Sequence, residues 1–126
     1  MKSFKNLHLA ISVLLIVPVA LVYGLLPDQI LPGLFDFTIH TTDLSNIFRA
    51  MMGLYLGMAA FWIMGIIKHQ IWVAATMANI FFMGGLAIGR IVSLLLDGTP
   101  GVYFLLGLFV ELLLAVWGIK NLKKYS

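Results

Sequence analysis

The chain has no cysteine and very little charge. Without cysteine there can be no disulfide, thiol redox relay or thiolate metal site. The histidines, His8, His40 and His69, are scattered at no metal-ligand spacing, so no zinc or haem site and no cofactor are expected. No Gly-rich phosphate loop, nucleophile elbow or HExxH motif is present, and nothing suggests binding to nucleic acid. No nucleophile or metal set motivates an enzymatic role. Only 10% of the 126 residues are charged, against about 25% in a soluble domain, whose surface must face water. In their place stand apolar residues, 62% of the chain, with a mean hydropathy of +1.06. Such a chain cannot cover itself with polar groups, so its solvent is lipid. The length is that of one domain, taken as residues 1–126.

Four apolar runs, at about 7–26, 47–67, 71–96 and 102–119, each approach or exceed the ~20 residues that cross a hydrocarbon core of roughly 30 Å. The expected fold is an all-α, polytopic membrane four-helix bundle. The connectors are 27–46, 68–70 and 97–101. All six lysines fall at the N-terminus (Lys2, Lys5), in the second connector (Lys68) or at the C-terminus (Lys120, Lys123, Lys124). By the positive-inside rule both termini and Lys68 are expected in the cytoplasm. Trp62, Trp72 and Trp117 lie near the inner ends of their spans, and Tyr23 and Tyr103 are expected to mark the outer interface. The first run is longer than a signal peptide's apolar region of about 7–15 residues and ends without an Ala-x-Ala site. It is therefore read as a retained span, with a kink at Pro18. The first outer connector carries Ile30, Leu31, Leu34, Phe35 and Phe37 between Pro27 and Pro32. That pattern suits a short interfacial helix, acting as a lid over the bundle or as a gate to a site beneath it.

Three charges lie within or at the edge of the spans: Arg49, Arg90 and Glu111. Each costs about 2.5–3.5 kcal/mol at a helix centre, so such residues usually face the bundle interior and pair. The second and third spans turn around His69, which puts Arg49 level with residue 89, beside Arg90. The third and fourth turn around Thr99, which puts Arg90 level with residue 108, one turn from Glu111. On the third span Asn79, Arg90 and Asp97 fall within about 20° of one another, and Ser93 lies about 60° to one side. Small residues share the faces of the other two charges: Gly53 and Gly57 follow Arg49, while Gly107 and Ala115 flank Glu111. Helices approach closely along such faces, so all three charges are expected to point inward. Gly53-x-x-x-Gly57 and Gly85-x-x-x-Gly89 are read as internal packing motifs rather than dimerisation motifs. The methionines are read as lipid-facing residues or core filler rather than as a metal path.

Arg90 and Glu111 admit three readings: a structural salt bridge with Arg49 bonded at the rim, an anion or polar-ligand site, or a proton-handling carboxylate. Two arginines and one glutamate leave a positive charge over, and guanidinium groups suit bidentate anion recognition. The candidate ligand-binding residues are Arg49, Arg90 and Glu111, with Asn79, Ser93 and Asp97 lining the approach.

The segments Asn46-Ile47-Phe48-Arg49-Ala50-Met51-Met52-Gly53, Gly85-Leu86-Ala87-Ile88-Gly89-Arg90-Ile91-Val92-Ser93 and Asp97-Gly98-Thr99-Pro100, followed by Glu111, give the chain a family likeness. Over nearly its whole length it resembles the small bacterial four-span membrane proteins of domain of unknown function 4345. Arg49, Arg90 and Glu111 match that family's motifs. The resemblance implies a bacterial cytoplasmic-membrane protein and leaves its chemistry open. A fainter similarity to DoxX-like four-helix membrane proteins rests on architecture alone.

Three functions follow as expectations. The first is binding or carriage of a small anionic or amphiphilic, lipid-like molecule entering from the outer leaflet. The second is an accessory or scaffolding subunit, as a homo-oligomer or with a membrane partner protein, in which Arg90–Glu111 is structural. The third is a proton-coupled small exporter, which the one-sided lysine distribution disfavours because those exporters need both orientations.

Overall fold

Apolar periodicity without polar interruption builds long helices, and the chain is almost wholly helical. A computed structural model describes residues 2–126, with side chains from Phe4 onward. The elements are α1 (Lys2–Gly24), α2 (Pro27–Leu34), α3 (Thr42–Ile67), a single 3-10 turn (His69–Ile71), α4 (Trp72–Asp97) and α5 (Val102–Tyr125). Among the described residues four helices are long and apolar enough to cross a membrane. Their outer surface agrees: Leu95 and Leu96 are 81% and 78% exposed, an arrangement that lipid tolerates and water does not. This is a multi-pass membrane protein.

The ends of the elements follow local chemistry. The Thr41 hydroxyl accepts the Leu44 N–H at 3.1 Å and caps the N-terminus of α3. Pro27 opens α2, where its missing N–H costs nothing. Gly98 stops α4 at φ 95°, a conformation that side chains resist. α1 is continuous through Pro18. The short helix expected in the first long connector is α2. Leu31 anchors it with no exposure, and Phe35 and Phe37 follow it into the core.

The bundle is two tight pairs. α1 packs along α3, and α4 packs along α5, while the α3/α4 seam is thinner and α1 meets α5 over a narrow strip. At the lysine-rich end the pairs are locked together by Leu9, Trp62, Trp72 and Ala75, all nearly or fully buried. A Cβ on Gly65 of α3 would collide with Ala75 of α4, so glycine is what lets these helices touch. Lys5, Lys68, Lys120, Lys123 and Lys124 cluster around this end; the Lys2 side chain lies outside the described residues.

Several packing expectations need correction. Trp62 and Trp72, at the lysine-rich ends of α3 and α4, are 0% and 1% exposed, so these rings fill the core. Tyr23 is buried as well, while Tyr103 is exposed. Gly53, Gly57, Gly85 and Gly89 have nothing within 4 Å of an added Cβ. They are not internal packing motifs. The close contacts are made by Gly24, Gly65 and Gly118.

Candidate functional site

Away from the lysine-rich end the helix pairs separate, and the charged residues sit in the gap. Arg90 of α4 and Glu111 of α5 form a bidentate pair: Nε donates to Oε1 at 2.8 Å and Nη2 to Oε2 at 3.1 Å. The Glu111 side chain is 8% exposed and that of Arg90 23%. Glu111 thus lies behind, against the helices, and the guanidinium reaches forward. Gly107 lies beside it: an added Cβ there would meet Cζ and Nη2 at 3.6 Å, an ordinary contact. A guanidinium has five N–H donors, and the pair uses two. Tyr23 also interacts with the guanidinium through its side chain, and Nη1 is the nitrogen that takes no part in the carboxylate pair.

Two cavities converge on that guanidinium. The first, about 550 Å³, lies between α3, α4 and α5 and is lined by Met51, Leu86, Gly89, Ser93 and Leu108 among others. The second, about 350 Å³, lies between α1 and α5 and is lined by Ile16, Val19, Met83, Gly107 and Leu114 among others. Tyr23, Tyr55, Arg90 and Phe104 line both. Each cavity has exposed residues on its rim, Gly85 and Gly89 for the first, Leu15, Val19 and Leu106 for the second. Both therefore open sideways, where lipid would lie. Their sizes fall within the roughly 300–1,000 Å³ of small-molecule sites.

An aromatic layer covers the pair. Phe35 stacks on Phe104 with centroids 4.6 Å apart and on Phe37 at 5.8 Å. Phe37 stacks in turn on Phe48 of α3 at 5.7 Å, and Tyr23 meets Tyr55 edge to face at 5.8 Å. The Arg90 Cζ lies 5.8 Å from the Phe104 ring centre, within cation–π reach. The connector after α2 is thus stitched to α1, α3 and α5 by rings, directly over the buried charges.

The six residues singled out from sequence divide. Arg90 and Glu111 meet, and Ser93 lines the first cavity while donating to Asp97 at 2.8 Å. Asp97 sits at the exposed end of α4. Asn79 is fully buried in the lysine-rich half, away from this site. Arg49 does not join the pair. Its Nη1 donates to the carbonyls of Gly24 at 2.9 Å and Leu25 at 3.2 Å, capping the C-terminus of α1, where the helix dipole favours a cation. The positive charge left over in the sequence count is therefore held outside the site, and the site itself is formally neutral. Tyr23, Tyr55 and Phe104 are site residues that the sequence reading misses, Tyr23 being expected only at the outer interface. Their signal is the concentration of rings at residues 23, 35, 37, 48, 55, 103 and 104, all in the half of the bundle away from the lysines.

The model of the family described as domain of unknown function DUF4345 matches residues 4–120. No curated protein and no solved structure matches the chain, so the likeness to DoxX-like proteins finds no support. The chain belongs to the DUF4345 family.

Proposed function

Taking membership of the DUF4345 family as the premise, we propose that this membrane protein binds an amphiphilic, lipid-like molecule. Its oxygen-bearing head meets the free edge of Arg90, and its apolar tail lies in the flanking cavities. The observation that carries this reading is the convergence of two lipid-open cavities on one guanidinium that still has N–H donors to give. An apolar volume accepts a tail, while a buried N–H without an acceptor is costly. A head group supplying carbonyl, carboxylate or phosphate oxygen satisfies both. Because Glu111 already neutralises Arg90, the head need not be charged.

The lysine distribution supports both termini in the cytoplasm, and with that orientation the site would lie in the outer half of the membrane. The family resemblance supports a bacterial cytoplasmic membrane. Entry is then lateral, from the outer leaflet.

The test is native mass spectrometry of protein extracted in mild detergent, wild type beside Gly89→Leu. Position 89 lines the first cavity, and an added Cβ there meets nothing. The leucine fills volume without touching the charge pair, and replacing a helical glycine tends to stabilise. Wild type should carry a bound small molecule that the variant lacks. A folded wild type with no adduct, or one equally abundant in Gly89→Leu, refutes the reading.

A second reading, an accessory subunit, is favoured by Gly53 and Gly57, which face away from the bundle with nothing near them. Small residues at this spacing let a foreign helix approach closely. A protein that runs alone in mild detergent, from native membranes, would exclude it.

A further inference from the structure

The lysine-rich half of the bundle holds a group of buried polar side chains that the charge pair does not use. His8 and Ser12 on α1, and Thr76 and Asn79 on α4, have no exposure at all. Two of their bonds are made internally. The Ser12 hydroxyl donates to the His8 carbonyl at 2.9 Å, and His8 Nε2 lies 2.9 Å from the Leu114 carbonyl of α5. A carbonyl only accepts, so Nε2 carries the ring proton and Nδ1 of the neutral ring is an acceptor. That Nδ1, the Thr76 hydroxyl and both ends of the Asn79 amide have no partner among the described residues.

Register brings these groups to one depth in the bundle. α1 and α4 run parallel, and the Trp72 indole donates to the Lys5 carbonyl at 3.4 Å across an offset of 67 residues. One turn on, the same offset puts His8 level with Ala75 and Thr76; the next turn puts Ser12 level with Asn79. Ile16 and Met83, a further turn along, do line one cavity together. Gly118 of α5 closes the third side. An added Cβ there would fall 2.8 Å from Ile80 Cγ1 and 3.0 Å from His8 Cε1, so the imidazole lies against the stretch of α4 that carries Asn79.

We propose that His8, Thr76 and Asn79 form a second binding site, distinct from the Arg90 site, and that its occupant is water. The unmet groups set the chemistry. His8 Nδ1 and Asn79 Oδ1 need a donor, whereas the Thr76 hydroxyl and the Asn79 NH₂ need an acceptor. A guest that both donates and accepts satisfies all of them, and water typically makes about three such bonds when buried. The site offers no carboxylate for a cation and no free guanidinium for an anion. Glu111 and Arg90 lie beyond a layer of Ile16, Met83 and Leu114, which are 6%, 1% and 4% exposed. The bundle is therefore polar on both sides of one apolar layer, hydrated towards the lysines and lipid-open beyond.

Water-edited solid-state NMR of the full chain in lipid bilayers, with ¹⁵N-labelled histidine and asparagine, tests this independently of the amphiphile. His40 and His69 are exposed, and replacing each by glutamine leaves His8 as the one histidine signal. Magnetisation should pass from water to the His8 ring and to the Asn79 side-chain amide. Absence of transfer at either residue overturns the proposal. In Asn79→Leu the transfer to His8 should be lost, because the resident water has lost its main partner. If Asn79→Leu does not assemble, Thr76→Val serves in its place. Undiminished transfer to His8 in the folded variant would mean that water reaches the ring from the lysine-rich mouth without a site, and would also overturn it.

Discussion

Replacing Glu111 by leucine strands the Arg90 guanidinium among apolar walls. Two hydrogen bonds of 2.8 and 3.1 Å disappear together with the only counter-charge in the site. Removing one partner of a buried pair costs about 3–5 kcal/mol, and an arginine at a helix centre costs about 2.5–3.5 kcal/mol on insertion scales. The Arg90 side chain is 23% exposed, but to cavities and lipid instead of bulk water, so relief is partial and the lower figures apply. Glu111→Leu should therefore lose about 3 kcal/mol. Arg90→Met should lose less, because a carboxyl group has a neutral form and a guanidinium does not. In the double variant nothing charged remains unpaired, and well-packed apolar replacements of buried pairs are often neutral or stabilising. The double variant should recover most of the loss. Equilibrium unfolding of all four chains in a bilayer mimetic closes a double-mutant cycle. Interhelical hydrogen bonds in membranes average a coupling of about 0.6 kcal/mol, with a maximum near 1.7, and this pair should exceed that maximum. A coupling at or below about 0.6 kcal/mol would refute the view that the two side chains depend on each other. The double variant should also fold without retaining the amphiphile, separating the pair's structural part from its binding part.

Three further outcomes follow from contacts already described. Gly118→Ala should destabilise by about 1–3 kcal/mol through overpacking against Ile80 and His8, while Gly53→Ala, with open space around it, should be neutral or stabilising by up to ~1 kcal/mol; thermal unfolding in one detergent compares them, and equal effects would contradict the assigned packing. Arg49→Gln should remove the cap on the carbonyls of Gly24 and Leu25, a loss of about 0.3–1 kcal/mol, and speed protease cleavage between residues 35 and 41; unchanged cleavage would show that the aromatic contacts alone hold the connector. Single cysteines at Thr38, Gln70 and Thr99 in this cysteine-free chain should divide by labelling side, with Gln70 on the cytoplasmic face and the other two outside; any other division refutes the orientation.

Short turns made part of the site legible. Arg90 and Glu111 lie on consecutive helices joined by the stretch 98–101, so counting back from the turn predicts their depth, and the polar stripe predicts the azimuth of Arg90. Counting also brought Arg49 within about a turn of the right depth, since it bonds at the level of Gly24 and Leu25. Gly53 and Gly57 predict the wrong azimuth for it, because the face they share is unpacked. In lipid a stripe of small residues is silent about whether anything packs on it. The parallel register of α1 against α4 is not legible, since no turn joins those helices and the offset can be counted from none. Histidine read only as a metal ligand likewise concealed His8, whose partner is a backbone carbonyl on α5.

The order in which the charges are synthesised matters for biogenesis. Arg90 and Glu111 are 21 residues apart, and at about 5–20 residues per second the arginine exists for on the order of one to four seconds before its carboxylate does. During that interval α4 alone would present an unmatched cation to the hydrocarbon. With α5 beside it, the same segment presents a neutral, hydrogen-bonded unit. α4 and α5 are therefore best inserted as one hairpin, held at the translocon until Glu111 emerges. A ribosome stalled between Arg90 and Glu111 would leave a helix that the membrane is slow to accept, and the nascent chain would be open to quality-control proteases at that point.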